Sequence, residues 1–375
     1  HPDWEARLAH WESQDQRRFL QVSAGVDFYS NDYLGLAQSE ELRTRIREAE
    51  EEFALPAHGA TGSRLLSGQS TLAEEVEAEL ARWLQADAAL FFNSGYTANL
   101  AVLSTLPQKG DTILYDQYAH ACLKDGARLS LAQRFSFRHN DLADLRKKLA
   151  KATGTVYVVV ESVYSMDGDQ APLLALADLC DEVGAVLMVD EAHSTGLWGH
   201  QGSGLCVELG LTDRVPVRIH TFGKAMGTHG AAVAGHPVLR EVLINSARSF
   251  IYTTAPPPQQ WVAVREAVRF LAKHHPSLFQ RLQNVILHFQ ESISLVDLGE
   301  GPAMLDSQSP IQGLIVPGNE ACRAMAQKLQ AAGFAVRPIL SPTVPKGSER
   351  VRICLHSYNT EDELDRFAEA LSSGK

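Results

Sequence analysis

The chain has 375 residues, 45% of them apolar and 21% charged, with 45 acidic side chains against 34 Lys and Arg and a net charge of -11. That composition provides enough apolar surface for a folded core and two or three domains. It excludes a generic binder of nucleic acid or anionic membrane, since either needs a basic face.

In chain order, residues 1–40 pattern as an amphipathic helix followed by a short extended segment, an N-terminal arm too small for a core of its own. Its start, HPDWEARLAHW, is charged and unlike a signal peptide. No apolar run reaches the ~18 residues of a membrane span, so a cytoplasmic protein is expected. From 41 to 270, short apolar runs alternate with helical patterns: ALFFN near 89, DTILYD near 111, TVYVVVES near 155, AVLMVDE near 185 and VRIHTF near 217. Runs so uniformly apolar are expected as strands of a mostly parallel sheet covered by helices on both faces. Between them, Leu72, Val76, Leu80, Trp83 and Leu84 share one face of a predicted helix over 72–85. A second helix, 172–183, has Pro172 at its first turn and Gly184 just past its end. From 271 to 375 the pattern becomes a long helix, the run QGLIVPG, a helix from Glu320, the runs AVRPIL and VRICLHS, and a final helix from Thr360. This reads as a smaller α+β domain.

The cysteines at 122, 180, 206, 322 and 354 are odd in number and lack a C-x-x-C pair, which fits reduced packing residues. None of the 14 histidines forms an H-x-x-x-H or H-E-x-x-H pair, and no metal site is expected. The segment VLMVDEAHSTG at 186–196 contains the letters DEAH of a helicase acidic box. Such a box works beside a G-x-x-x-x-G-K-[ST] phosphate cradle. Here the only internal Gly-Lys is Gly223-Lys224, Ala225 follows it, and Arg218 stands where the first glycine belongs. The helicase reading fails.

The string TFGKAMGTHG at 221–230 holds Lys224 among Gly223, Ala225 and Gly227. Little bulk surrounds its amine, which suits a lysine that attacks an aldehyde and later moves a proton at carbon. Gly-Lys alone reads more readily as a surface lysine in a glycine-rich turn.

Seven ordered blocks supply the context: SNDYLGL at 30–36, GATGSRLLSGQS at 59–70, FFNSGYTAN at 91–99, ESVYSMDGD at 161–169, VDEAHSTG at 189–196, TFGKAMGTHG, and SPTVPKGSERVRICL at 341–355. Together they resemble the α-oxoamine synthases, pyridoxal 5'-phosphate enzymes of fold type I. The resemblance implies an aspartate aminotransferase-like α/β fold, with a large cofactor-binding domain and a smaller C-terminal domain. It implies that Lys224 binds the cofactor and then serves as the Cα base, that Asp190 faces the pyridine nitrogen, and that His193 bonds the phenolic oxygen. It places Gly95 and Tyr96 at the phosphate, Ser165 and Thr221 as hydroxyls on the cofactor, and His120 over the ring. Arg352, assisted by Asn31, would grip the amino acid carboxylate. Thr343 and either Arg17 or Arg18 would lie on the substrate side. Family members are homodimers, and IYTTAPPP at 251–258 resembles the segment that reaches the neighbouring phosphate, through Thr253 or Thr254. The blocks GKAMGTHGAA and PTVPKGSERVR most resemble members that join L-alanine to a pimeloyl thioester, carried by coenzyme A or by a carrier protein. The alternatives are a member using glycine with a shorter acyl thioester, and a non-catalytic partner subunit, which the presence of Lys224 argues against. Glu191 acquires no role from this resemblance.

Overall fold

The computed structural model describes residues 1–14, 17–55, 57–372. At its centre lies a seven-stranded sheet in the spatial order Ala88–Phe92, Ala231–Gly235, Val217–Thr221, Val186–Asp190, Val156–Glu161, Thr112–Asp116 and Gln133–Phe137. All pairings are parallel except those of Ala231–Gly235, which runs antiparallel to both neighbours.

Strand period decides which side chains go where. Phe91, Leu114, Val158, Val160, Leu187 and Val189 fill the core on one face. Their alternates Leu90, Phe92, Ile113, Val159, Met188 and Ile219 fill the other. Both faces are covered, so the runs are apolar throughout rather than alternating, and each fully buried Val, Leu or Phe contributes ~1.5–3 kcal/mol. The helix Thr71–Trp83 starts at Ser70, whose side chain accepts the Ala73 N–H, and buries Val76, Leu80 and Trp83. The helix Leu173–Val183 ends at Gly184, which is left-handed with φ 68°, a conformation glycine adopts without penalty.

Two strands of this sheet lack the bulky apolar run of the others and were not anticipated. Gln133–Phe137 is an edge strand with four of its five residues exposed. Ala231–Gly235 is built from small residues because its backbone passes close to neighbouring chain: a Cβ on Gly235 would lie 2.4 Å from the Pro216 carbonyl oxygen.

The C-terminal part is a four-stranded antiparallel sheet in the order Arg337–Ile339, Arg350–Cys354, Ile311–Ile315, Ala303–Met304. Helices Asn319–Ala331 and Glu361–Leu371 accompany it. A two-residue parallel pairing of Val26–Asp27 with Phe334–Ala335 ties the N-terminal segment to this part, and Phe28 packs on Phe367 at 4.6 Å between ring centroids. The continuous helix Pro258–Ser294 serves both parts: Trp261 packs on Phe91 at 4.4 Å, and Phe289 on Phe367 at 5.9 Å. The division expected at 270 therefore falls inside one helix. The N-terminal helix Pro2–Ser13 buries no residue, and no described helix is long and apolar enough to cross a membrane.

Candidate active site

Parallel strands deliver their C-terminal ends to one edge of the sheet, the place where open α/β sheets hold ligands. Asp190 and Glu161 are the last residues of adjacent strands and are register partners. Thr221 ends the next strand, three residues before Lys224, and His120 follows Thr112–Asp116.

The lysine loop is fixed by its own backbone. Gly227 N–H donates to the Lys224 carbonyl at 2.8 Å, Thr228 N–H to the Phe222 carbonyl at 2.9 Å, and Phe222 N–H to the Gly230 carbonyl at 2.9 Å. Gly227 has φ +63°, and a Cβ there would stand 2.3 Å from the Ala37 amide nitrogen. Only glycine lets the loop lie this close to SNDYLGL.

The Lys224 Nζ is 2.8 Å from His193 Nε2, and His193 Nδ1 is 2.8 Å from the Tyr33 hydroxyl. Burial holds the Lys224 amine below its ordinary value, and the charge of Arg352 acts the same way, while Asp190 and Glu161 oppose it. The ammonium therefore gives up its proton to yield the neutral, nucleophilic amine more readily than a free lysine does. Burial, then the positive charges of Lys224 and Arg352, hold His193 well below the usual histidine range, so this imidazole is neutral.

Asp190 is 4% exposed. Its Oδ2 accepts Asn99 Nδ2–H at 2.7 Å and its Oδ1 accepts the Ala192 N–H at 2.9 Å. Beside it, burial and the charge of Asp190 push the Glu161 carboxyl up to about 8, and Glu161 Oε1 accepts the His120 N–H at 2.5 Å. His120 caps the helix Ala121–Leu129: its Nδ1 accepts the Cys122 N–H at 3.2 Å.

The helix Gly95–Thr105 begins with a complete capping box in which Ser94 and Thr97 satisfy each other. The N–H groups of Gly95 and Tyr96 head this helix without intrahelical acceptors, a favourable seat for an anion. A Cβ on Gly95 would come 2.4 Å from Thr221 Cγ2, so a larger residue there would have to displace the Thr221 methyl. Asn93 Nδ2 reaches the Thr254 carbonyl at 2.9 Å and the Thr253 hydroxyl at 3.3 Å. This brings the IYTTAPPP segment beside the same turn.

Arg352 donates from Nε to the Ser165 carbonyl at 2.6 Å and from Nη2 to Asn31 Oδ1 at 3.0 Å. Ser165 thus meets Arg352 through its backbone. Lys224, His193, Asp190, His120, Gly95, Thr221, Arg352, Asn31 and Ser165 form one connected neighbourhood. Tyr96 heads the anion-seat helix while its hydroxyl turns to Asp125.

Two expected substrate contacts are not brought there. Arg17 and Arg18 are exposed; Arg17 pairs with Glu12 and lies over Phe19. The helix before them buries nothing that would fix the arm against the body. Thr343 sits on an exposed turn, its N–H donating to the Leu340 carbonyl at 2.9 Å.

Tyr33, Asn99, Glu161 and Cys122 were missed as site residues, although the first three lie inside the quoted blocks. Tyr33, Asn99 and Glu161 each bond a partner distant in sequence: His193, Asp190 and His120. Glu191, fully buried, turns away from the site. Its carboxylate accepts the N–H groups of Leu205 at 2.6 Å and Cys206 at 3.0 Å and the Ser194 hydroxyl at 2.5 Å. Its role is to cap the short helix Leu205–Glu208.

Over residues 23–371 the sequence matches the family described as aminotransferase class I and II. The 8-amino-7-oxononanoate synthase of Emericella nidulans is 40% identical over 380 aligned residues, covering 95% of this chain and 91% of that protein. Among solved structures, the 8-amino-7-oxononanoate synthase of Francisella tularensis superposes with a TM-score of 0.77 at 30% identity, covering 92% of this chain and 96% of that one. A serine palmitoyltransferase of S. paucimobilis, solved with bound PLP-myriocin, gives a TM-score of 0.86 at 27% identity, covering 98% and 96%.

Proposed function

Because the chain belongs to the aminotransferase class I and II family, we propose that it is a pyridoxal 5'-phosphate enzyme that condenses L-alanine with a pimeloyl thioester. The products are 8-amino-7-oxononanoate, CO₂ and the free thiol carrier, a step of biotin biosynthesis. The observation that carries this reading is the Lys224 amine held 2.8 Å from a buried, neutral His193, with the Asp190 carboxylate at the end of the adjoining strand. Curated relatives named 8-amino-7-oxononanoate synthase support the choice of substrates.

The residues present fit the cofactor. Asp190 is a buried acid that would face its ring nitrogen, and His193 its phenolic oxygen. The Gly95 turn offers N–H groups to its phosphate, and the hydroxyls of Ser165 and Thr221 would meet the cofactor. When bound, the cofactor supplies an aldehyde for attachment to Lys224 and a ring that delocalises negative charge from the substrate's Cα.

The remaining steps belong to the chain. Arg352 and Asn31 bind the alanine carboxylate; the guanidinium fork matches a carboxylate in two parallel bonds. Lys224, whose amine burial makes easier to deprotonate, takes the Cα proton once the substrate amine has displaced it. Cα then bonds to the acyl carbonyl carbon and the thiol carrier leaves. The carboxylate is lost as CO₂, and a proton returned to the same carbon completes the product. His120 would cover the ring face and exclude water from it. The enzyme is proposed to act in the cytoplasm as a homodimer, with Thr253 or Thr254 donating to the neighbouring subunit's phosphate. Arg17 or Arg18 and Thr343 would meet the acyl donor only after the arm and the turn at Leu340–Val344 move toward the site.

A Lys224→Ala variant is expected to lose both the visible absorbance of bound cofactor and carbon-carbon bond formation. Turnover retained in that variant contradicts the assignment.

A further inference from the structure

The bonds that lead away from Lys224 run through a side chain to which no role has been given. Tyr33 is fully buried, and its hydroxyl lies between His193 Nδ1 at 2.8 Å and Asn31 Oδ1 at 3.1 Å. Asn31 Oδ1 also receives Arg352 Nη2 at 3.0 Å, and Arg352 Nε is bound to the Ser165 carbonyl at 2.6 Å.

The protons along this chain can be assigned from donor and acceptor inventories alone. A guanidinium only donates, so the Asn31 atom facing Arg352 must be its oxygen. That oxygen only accepts, so for both contacts of the Tyr33 hydroxyl to be hydrogen bonds its single proton goes to Asn31 Oδ1, 3.1 Å away. The Tyr33 oxygen is then left as an acceptor toward His193, and Nδ1 must carry the ring's N–H. A neutral imidazole has one N–H, which leaves Nε2 bare, as required by an ammonium donor at Lys224 2.8 Å away. Starting from either cation, the assignment closes without a conflict.

We propose that Tyr33 is a positioning residue that fixes the His193 tautomer as Nδ1–H with Nε2 bare, and thereby couples the carboxylate grip at Arg352 and Asn31 to the amine of Lys224. Two consequences follow. Asn31 Nδ2, facing away from Arg352, is free to donate to a substrate carboxylate. The bare Nε2 meets a hydroxyl or an ammonium but repels a bare anion, so a phenolic oxygen placed there must share a proton with it. The imidazole is also a stronger acceptor at Nε2 because Nδ1–H is engaged.

The tautomer is measurable in the full chain without cofactor, by ¹⁵N NMR of protein labelled at histidine. The His193 signals are identified by their loss in His193→Gln. The expected pattern is a protonated Nδ1 and a bare Nε2; a protonated Nε2 with bare Nδ1 overturns the proposal. The coupling to Lys224 is read from the rate at which added pyridoxal 5'-phosphate attaches, followed by absorbance against pH, in wild type and Tyr33→Phe. Phenylalanine keeps the buried ring and removes only the hydroxyl. With Nδ1–H unanswered, Nε2 holds the ammonium less well, and the midpoint of attachment moves to lower pH by about half a unit. Asp190, Glu161, Arg352, His120 and Cys122 also face this amine or its surroundings and are unchanged in the variant. A loss of packing alone slows attachment at every pH without moving the midpoint, and that result, or a midpoint that rises, refutes the coupling. This second arm rests on Lys224 being the cofactor lysine; if wild type fails to attach cofactor at all, that reading fails, while the NMR arm still decides the tautomer.

Discussion

Glu191 offers a sharp test of the separation between site and scaffold, because it adjoins Asp190 yet serves only the fold. In Glu191→Gln the shape is kept and one carboxylate oxygen becomes an NH₂. The better amide orientation leaves its oxygen where Oε2 receives Leu205 N–H and the Ser194 hydroxyl, and turns the NH₂ toward the Cys206 N–H. One bond to a charged acceptor is lost, worth ~1.5–3 kcal/mol, and the two retained bonds weaken on becoming bonds to a neutral oxygen. The other orientation loses two bonds. The local cost is therefore about 2–4 kcal/mol, which corresponds to roughly 30- to 800-fold faster exchange of the Leu205 and Cys206 amides if they exchange by local opening. Hydrogen exchange with mass-spectrometric readout over residues 194–210 measures it, alongside kcat/KM of the folded enzyme, which is expected to change by less than about threefold. Unchanged protection of these amides, combined with a large loss of activity, would refute the reasoning and return Glu191 to the chemistry.

Other predictions follow from the same geometry. Arg352→Lys cannot reach both the Ser165 carbonyl and Asn31, and kcat/KM for L-alanine is expected to fall by about 30- to 150-fold, mainly through KM; steady-state kinetics showing a fall in kcat with KM unchanged would contradict the carboxylate role. His139 bridges Asp116 at 2.9 Å and Asp169 at 2.8 Å. Burial alone would lower its pKa, but the two carboxylates raise it to about 9. Because the folded value exceeds the unfolded one, its contribution is fully present below pH ~6.5. That contribution is lost as pH rises through about 9. Thermal midpoints of wild type should therefore decline across that window more steeply than those of His139→Gln, and parallel curves would show that the bridge contributes nothing.

Much of the fold was legible because a doubly covered parallel sheet writes itself as apolar runs. The strands at Val156–Glu161 and Val186–Asp190 are of this kind. Ala231–Gly235 was not legible, because close backbone approach selects small residues that carry no period. Gln133–Phe137 was not either, because an edge strand needs no apolar face. Asp190, His193, Thr221 and Lys224 stand in the quoted blocks, and the fold places them at one edge of the sheet. The bonds that organise them join residues far apart: Tyr33 to His193, Asn99 to Asp190, His120 to Glu161. Local patterns carry no trace of such pairs. The DEAH box illustrates the same limit: strand end, short turn and downstream helix turn two adjacent acids in opposite directions, Asp190 into the site and Glu191 onto the N–H groups of Leu205 and Cys206.

The most direct measurement incubates the purified protein and pyridoxal 5'-phosphate with a pimeloyl thioester and, in turn, L-alanine, glycine and L-serine, and identifies products by mass spectrometry with parallel release of thiol and CO₂. 8-Amino-7-oxononanoate is expected from L-alanine, with thiol and CO₂ in equal amounts, at rates at least ~10-fold above those with glycine or serine, the scale a missing methyl or an added hydroxyl can supply. Condensation that proceeds faster with glycine and a short acyl thioester, or no condensation at all, contradicts the proposed function.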